Sequence, residues 1–504
     1  MGAESILLAD VPMEMENFLL DKYSAQRHII RGDDIEDIPS IYNPYEHVMG
    51  EFIRMYIEKG IFGKDLSQII NKLARQSRPN EKILVLGICE EHLFWFEKLR
   101  STLGISNIRL IRSRDKSPDP TIPYINKLKR PKLWRIRMNQ RESYAYLIFP
   151  GEEYIIHYAS MIKSLIEQRK RGLSYDILEI IRFPEIEKTV YIWTGIKDFY
   201  EKVLQVKIFR EEKTTIILLG WYRRTIKHII DGLLKLGLKP TTHMLQEWPD
   251  KRPLYHPPGF PMFMFDYLYE DNKIRILCFQ FLYSYWGDII ERIAEGFYES
   301  GVSEILHIAN AGSIRNPNDI TLPLIIGYEK RTGISWISSW ISKARMKIRW
   351  GVLVPSQYFH YESVRNLINL QMCKTPNSLL MSLSNEDIPK YTPGAHICVR
   401  TTLEETFFPF VAVATNIGAI SVDTEAFHIA KAAENVNKRR EKSNKVMFGS
   451  IYFASDYIKK NPTDVEFTLA TIPRDLLEII LDATVPLVTD EVLIKHISYI
   501  HQIA

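Results

Sequence analysis

Gly418–Ala433 reads GAISVDTEAFHIAKAA. A short apolar run is followed at once by two acids, Asp423 and Glu425, and then by alanines and apolar residues at helical spacing. Branched side chains suit a pleated surface and alanine suits a helix, so the stretch predicts a strand that turns directly into a helix. In an open α/β sheet, ligands are met at the carboxyl ends of strands. Asp423, Thr424 and Glu425 stand at such an end. The acids have a second reading, because a carboxylate there also accepts from the orphan N–H groups of the first helical turn. His428, on the following helix, reads as packing.

Two other segments have the same form. Ile305–Pro323, ILHIANAGSIRNPNDITLP, is a strand that ends in small residues, Ala309 to Ser313. Backbone without bulky side chains can approach an anion or a sugar closely. Phe448–Asp456, FGSIYFASD, is an apolar strand that ends in Ser455 and Asp456. Between these pieces, NVNKRREKSNK (residues 435–445) is a charge run and reads as a solvated loop.

The rest of the chain repeats strand and helix patterns. Lys82–Gly87 (KILVLG), Asn107–Arg112, Tyr146–Phe149, Tyr175–Ile181 and Thr214–Leu219 read as strands, several of them followed by amphipathic helices. That alternation predicts an α/β chain whose N-terminal part is a doubly wound, mostly parallel sheet. Residues 246–262 are rich in proline, which fixes the backbone and removes a ladder donor, so a linker is expected there. The expected organisation is an extension over 1–44, a Rossmann-like domain over 45–245, the linker, and a second α/β domain over 263–504. An alternative division starts the second domain near Thr214. Past the linker, Met262–Tyr269 and Lys273–Gln280 read as a hairpin, Ile289–Ser300 as a helix and Ser303–Ala309 as a strand.

Bulk properties narrow the partners. The 504 residues carry a net charge of +4, nearly balanced for this length, so neither nucleic acid nor an anionic membrane is an expected partner. Four widely spaced cysteines form no CxxC pair, which fits a reducing cytoplasm and gives no reason to expect a metal site. The N-terminus has no basic segment before an apolar one, and charges interrupt every apolar window before about 18 residues, so neither a signal peptide nor a membrane span is expected.

In order and spacing the three C-terminal segments resemble the purine nucleoside phosphorylase and uridine phosphorylase superfamily, which includes nucleosidases. That family has a strand ending G-[ST]-x-G, then G-D-[IV]-x-x-P, then V-[DE]-M-E-[AS] before a helix, and a late S-D. The counterparts here are Ala309–Gly312, Asn318–Pro323, Val422–Ala426 and Ser455-Asp456. The resemblance implies a nucleoside phosphorylase-like α/β domain that takes a nucleoside or nucleotide and cleaves its N-glycosidic bond. It implies that Glu425 holds the ribose hydroxyls, with Thr424 and Asp423 beside it. Asp456 would be the catalytic acid at purine N7, next to Ser455, and Asn310, Gly312, Ser313 and His307 would wall the phosphate or water site. A homo-oligomer is also implied, since family sites are often completed by a neighbouring subunit.

The departures lie at the phosphate end. Ala309 and Asn310 replace Gly and Ser or Thr, and His307 stands where some members carry a phosphate-binding Arg. Of the phosphate loop G-x-P-x-R only Gly220 and Arg224 remain at the right interval. Phosphate is therefore a candidate cosubstrate, but hydrolysis is expected over phosphorolysis. A ligand-sensing module without catalysis is the alternative. The N-terminal half resembles a degenerate class I S-adenosylmethionine-dependent methyltransferase. Its Gly-rich turn is reduced to Gly87-Ile88-Cys89-Glu90-Glu91, so S-adenosylmethionine is not an expected ligand. A bifunctional methyltransferase and adenosylhomocysteine nucleosidase would need that turn.

Overall fold

The computed structural model describes residues 28–31, 83–86, 105–110, 132–138, 141–147, 151–169, 178–182, 214–220, 241–246, 262–269, 272–279, 287–299, 301–314, 352–364, 367–373, 392–400, 404–405, 408–441, 445–460 and 467–471. These form a mixed α/β structure with two sheets. The helices that the sequence predicts over 190–206 and 225–236, and the expected extension 1–44 apart from residues 28–31, lie outside the described residues.

The first sheet contains β1 (His28–Arg31), β2 (Ile83–Leu86), β3 (Ile105–Leu110), β4 (Lys132–Met138), β5 (Arg141–Leu147) and β6 (Leu178–Arg182), in the order β1-β6-β2-β5-β4-β3. Ile83, Leu84 and Val85 of β2 are wholly buried, as an uninterrupted apolar run with parallel neighbours should be. The expectation of a mostly parallel sheet needs correction. Only β2–β5 and β2–β6 are parallel, whereas β1–β6, β3–β4 and β4–β5 are antiparallel. A tight β4–β5 hairpin produces two of those reversals. Helix α1 (Glu152–Arg169) follows β5 and packs on β2 and β6.

The second sheet begins with β7 (Thr214–Gly220) and β8 (Thr241–Gln246) and continues through the hairpin β9 (Met262–Tyr269) and β10 (Asn272–Phe279). β7 lies in its middle, parallel to β10 and to β11 (Glu304–Ser313). The sheets therefore change between Arg182 and Thr214. The proline-rich stretch joins Gln246 to Met262, which pair with each other within one sheet, so it does not separate the two sheets.

Five strands of this sheet pair in a closed circuit. β11 runs parallel to β16 (Met447–Lys460), which pairs with β12 (Val352–Val364); β12 pairs with β14 (Thr392–Val399), β14 with β15 (Ala419–Asp423), and β15 with β11. β13 (Leu367–Cys373) hangs from β12, and β17 (Phe467–Thr471) from β16. Helix α2 (Asp288–Glu299) buries Ile290, Ile293, Ala294 and Phe297, a stripe at helical spacing, and packs against α4 (Ala426–Lys438). α4 meets α2 with the face that carries His428, Asn435 and Arg439, whose side chains reach Glu291, Glu295 and Glu299, while Ala426, Ile429, Ala430 and Ala433 are buried. Helix α3 (Phe408–Asn416) inserts Phe410, wholly buried, among Tyr361, Ile397, Val399 and Val422. Gly394 permits β14 to lie against β15, since a Cβ there would collide with the Ile420 side chain.

Candidate functional site

Strand pairing brings the three C-terminal segments together. Gly312 on β11 faces Val422 of β15 on one side and Asp456 of β16 on the other, and Ser313 faces Ser421 and Tyr457. The β11–β16 register shifts at this point. Ala311 pairs with Ala454 and Gly312 with Asp456, leaving Ser455 as the extra residue of a bulge. Bulges end regular alternation and re-aim the next side chains, and they recur beside ligand sites. Thr424 and Glu425 come directly after β15, so the candidate sugar end and the candidate base end adjoin the small residues of β11. Asn310 lies on β11 opposite Phe453, and Gly220 ends β7 opposite Ile308. Arg224 lies outside the described residues.

Asp423 is buried and supplied with donors from within the chain. Its Oδ1 accepts from the Glu425 and Ala426 N–H groups (3.0 and 3.1 Å), and Oδ2 also accepts from Ala426 (3.3 Å). His396 Nε2 lies 2.8 Å from Oδ1, and the Cys398 thiol donates to the same oxygen (2.8 Å). His396 pulls this carboxyl far below the ordinary range against the opposing effect of burial. The family resemblance sets Asp423 among the ligand contacts, but these partners make it a helix cap and a buried anchor. Its charge then acts on its neighbour. Glu425 is half-buried, and burial together with the Asp423 charge raises its carboxyl to about 8, although its Oε2 accepts from the Thr424 N–H (3.2 Å). Thr424 is buried, and its carbonyl accepts from Gly287 N–H at 2.8 Å.

His307 is a buried histidine whose Nδ1 lies 3.2 Å from Tyr452 Oη. Burial lowers its pKa to about 4, so the ring is neutral near pH 7 and offers no charge to a phosphate. Tyr452 in turn stacks on His396, with ring centroids 4.8 Å apart. Ser313 is almost wholly buried within β11.

A second cluster, with no signal in the sequence, lies one helical turn beyond Glu425. Glu153, from the first turn of α1, places Oε1 2.9 Å from His360 Nε2 on β12 and Oε2 3.0 Å from His428 Nε2 on α4. All three residues are buried. Asp288, at the start of α2, accepts from the Glu152 and Glu153 N–H groups (3.0 and 3.2 Å) and so caps α1. Burial and the Glu153 charge raise Asp288 to about 6. Gly287, at φ +72°, fits beneath Glu153, because a Cβ there would lie 2.8 Å from Glu153 Oε2. His428 reads as packing in the sequence; in the structure it is joined to a carboxylate from the other sheet's helix. Its charged form is favoured by Glu153 and Glu291, which outweigh burial. Two groups of donor atoms here have metal-ligand chemistry: Glu153, His360 and His428, and His396, Cys398 and Asp423. Each group's atoms lie within 4.8 Å of one another.

No family model matches the chain. Among curated proteins it is similar to Oxidoreductase cns1 of Cordyceps militaris, with 21% identity over 338 residues. The match takes in 65% of this chain, and the chain spans 34% of that relative's length. Nucleosidases and phosphorylases are among the similar solved structures. A futalosine hydrolase mutant of Helicobacter pylori has 12% identity and a TM-score of 0.32, covering 57% of this chain and 100% of the other. An MTA/SAH nucleosidase has 16% identity and a TM-score of 0.33, with 57% and 97% covered. Isoform 2 of uridine phosphorylase from Schistosoma mansoni has 10% identity and a TM-score of 0.32, with 60% and 90% covered. Among the described residues, no helix is long and apolar enough to cross a membrane.

Proposed function

We propose that this protein binds a purine nucleoside or nucleotide where β11, β15 and β16 meet, and cleaves its N-glycosidic bond by hydrolysis. The observation that carries the reading is the lateral adjacency of Asp456, Gly312 and Val422, with Thr424 and Glu425 coming at once after them. Glu425 would accept from both vicinal hydroxyls and fix the sugar as it gains positive character. Asp456 would protonate the departing base, which otherwise leaves as an anion. Gly312 would allow the ligand to approach the β11 backbone. Hydrolysis is preferred to phosphorolysis because His307 is neutral and engaged with Tyr452. Within this reading the chain works as a homo-oligomer in the cytoplasm; native mass in solution and fractionation test those two points.

The test is release of free base from a panel of purine nucleosides and nucleotides, with and without phosphate. Turnover without phosphate that falls by about 100-fold or more in Asp456→Asn is expected for a lost general acid. No release from any substrate, with no saturable binding by calorimetry, overturns the reading. Saturable binding without turnover selects a ligand-sensing module, which the neutral His307 at the phosphate end favours.

A further inference from the structure

We infer that Glu153, His360 and His428 form a binding site for one divalent transition-metal ion of the zinc class. Two imidazole nitrogens and one carboxylate are the donor set that such ions prefer. They come from three elements remote in sequence, α1, β12 and α4, and all three side chains are buried. Both imidazoles direct Nε2 at the same carboxylate, at 2.9 and 3.0 Å. A zinc ion bound at about 2.0–2.2 Å from each ligand would require only a small opening of this triangle.

The surroundings also suit an ion. His428 Nδ1 faces Glu291 Oε2 at 3.5 Å. Without an ion, His428 has to carry both ring protons to donate to Glu153 and Glu291 alike. With Nε2 on a metal, the proton sits on Nδ1 and points at Glu291, the carboxylate–histidine–metal arrangement that orients ligands in metalloproteins. Charge points the same way. Asp288 caps α1 over the Glu153 backbone, so three carboxylates, Glu153, Asp288 and Glu291, surround the two imidazoles. A divalent cation balances that excess within a buried site. Gly287 leaves the space that Glu153 occupies. The group His396, Cys398 and Asp423 is the weaker candidate, since Asp423 already accepts from two backbone N–H groups and Phe427 N–H donates to Cys398 Sγ at 2.9 Å.

The full-length protein, stripped with a chelator and dialysed, is titrated with zinc or cobalt(II), and metal content is measured by elemental analysis. One equivalent per chain is expected to survive dialysis. The cobalt form should show visible d–d bands without the near-ultraviolet charge-transfer band of a cobalt–thiolate bond. His360→Gln and His428→Gln should abolish stoichiometric retention, Glu291→Gln should weaken it by about tenfold, and Cys398→Ser should leave it intact. Circular dichroism checks that the variants are folded, and the wild-type cobalt spectrum stands without any variant. Absence of retained metal, a thiolate band, or retention that survives both histidine substitutions overturns the site. These readouts need no turnover, so they succeed or fail independently of the proposed hydrolysis.

Discussion

Glu425 carries a carboxyl raised to about 8 in a half-buried position beside the Asp423 charge. Near neutrality the free protein therefore holds mostly the protonated acid, while the proposed grip on two sugar hydroxyls needs the carboxylate. kcat/KM for base release should rise with pH through about 8 as Glu425 ionises and fall again once Asp456 loses the proton it donates to the base, since that profile reports groups of the free enzyme. Glu425→Gln should remove the rising limb and most of the activity; a profile unchanged by the substitution refutes the role. Asp423 acts on stability. Its folded-state pKa lies below the unfolded value of about 3.9, so its contribution is complete above that pH and fades as pH falls toward the folded value. Asp423→Asn should cost about 1.5–3 kcal/mol near neutrality, because it removes the charge from a buried acceptor that serves His396, the Cys398 thiol and the first turn of α4. The same substitution should flatten the acid side of the stability curve. Denaturant unfolding across the pH range checks both.

Among the elements, Gly287 supplies a direct test of how α1 is seated. Its φ of +72° and the closeness of Glu153 both oppose a side chain, so Gly287→Ala should destabilise by at least about 1–2 kcal/mol. Thermal unfolding reads this, and Gly418→Ala, also at positive φ but with open space around its Cβ position, separates backbone strain from crowding. Elements with a strong local period are legible in the sequence. β2, β7, the β9–β10 hairpin, β11, α2 and α4 announce themselves by apolar runs or helical spacing. β4 and the start of β5 do not, although Trp134–Met138 alternates apolar and charged residues as a half-exposed strand does, because the sequence between them carries no glycine to signal a hairpin. Without that hairpin the sequence reads as a mostly parallel sheet. The position of Glu425 directly after a strand is legible, whereas the strand expected to end at Ser455-Asp456 continues as β16 to Lys460. The Glu153 cluster is not legible, since its partners lie 207 and 275 residues away and no spacing rule reaches that far.

At the scale of the whole molecule, Glu153 ties a helix of the first sheet to β12 and α4, which belong with the second. Removing it leaves two buried imidazoles facing Asp288 and Glu291 without their central acceptor. Glu153→Ala should lower the melting temperature more than Glu152→Ala, its exposed neighbour, and calorimetry compares the two. The closed circuit of strands has a different consequence, which concerns synthesis. β11 meets β7 from about 90 residues upstream, β15 about 110 residues later and β16 about 140 residues later. A ribosome that has just released β11 has therefore exposed a strand with one edge paired and the other still waiting. Nascent chains halted before residue 447 should hold that open edge, bind chaperones or aggregate, and fail to bind nucleoside. The proposed site is then among the last features of this protein to exist, and premature termination should yield insoluble fragments rather than partly active ones.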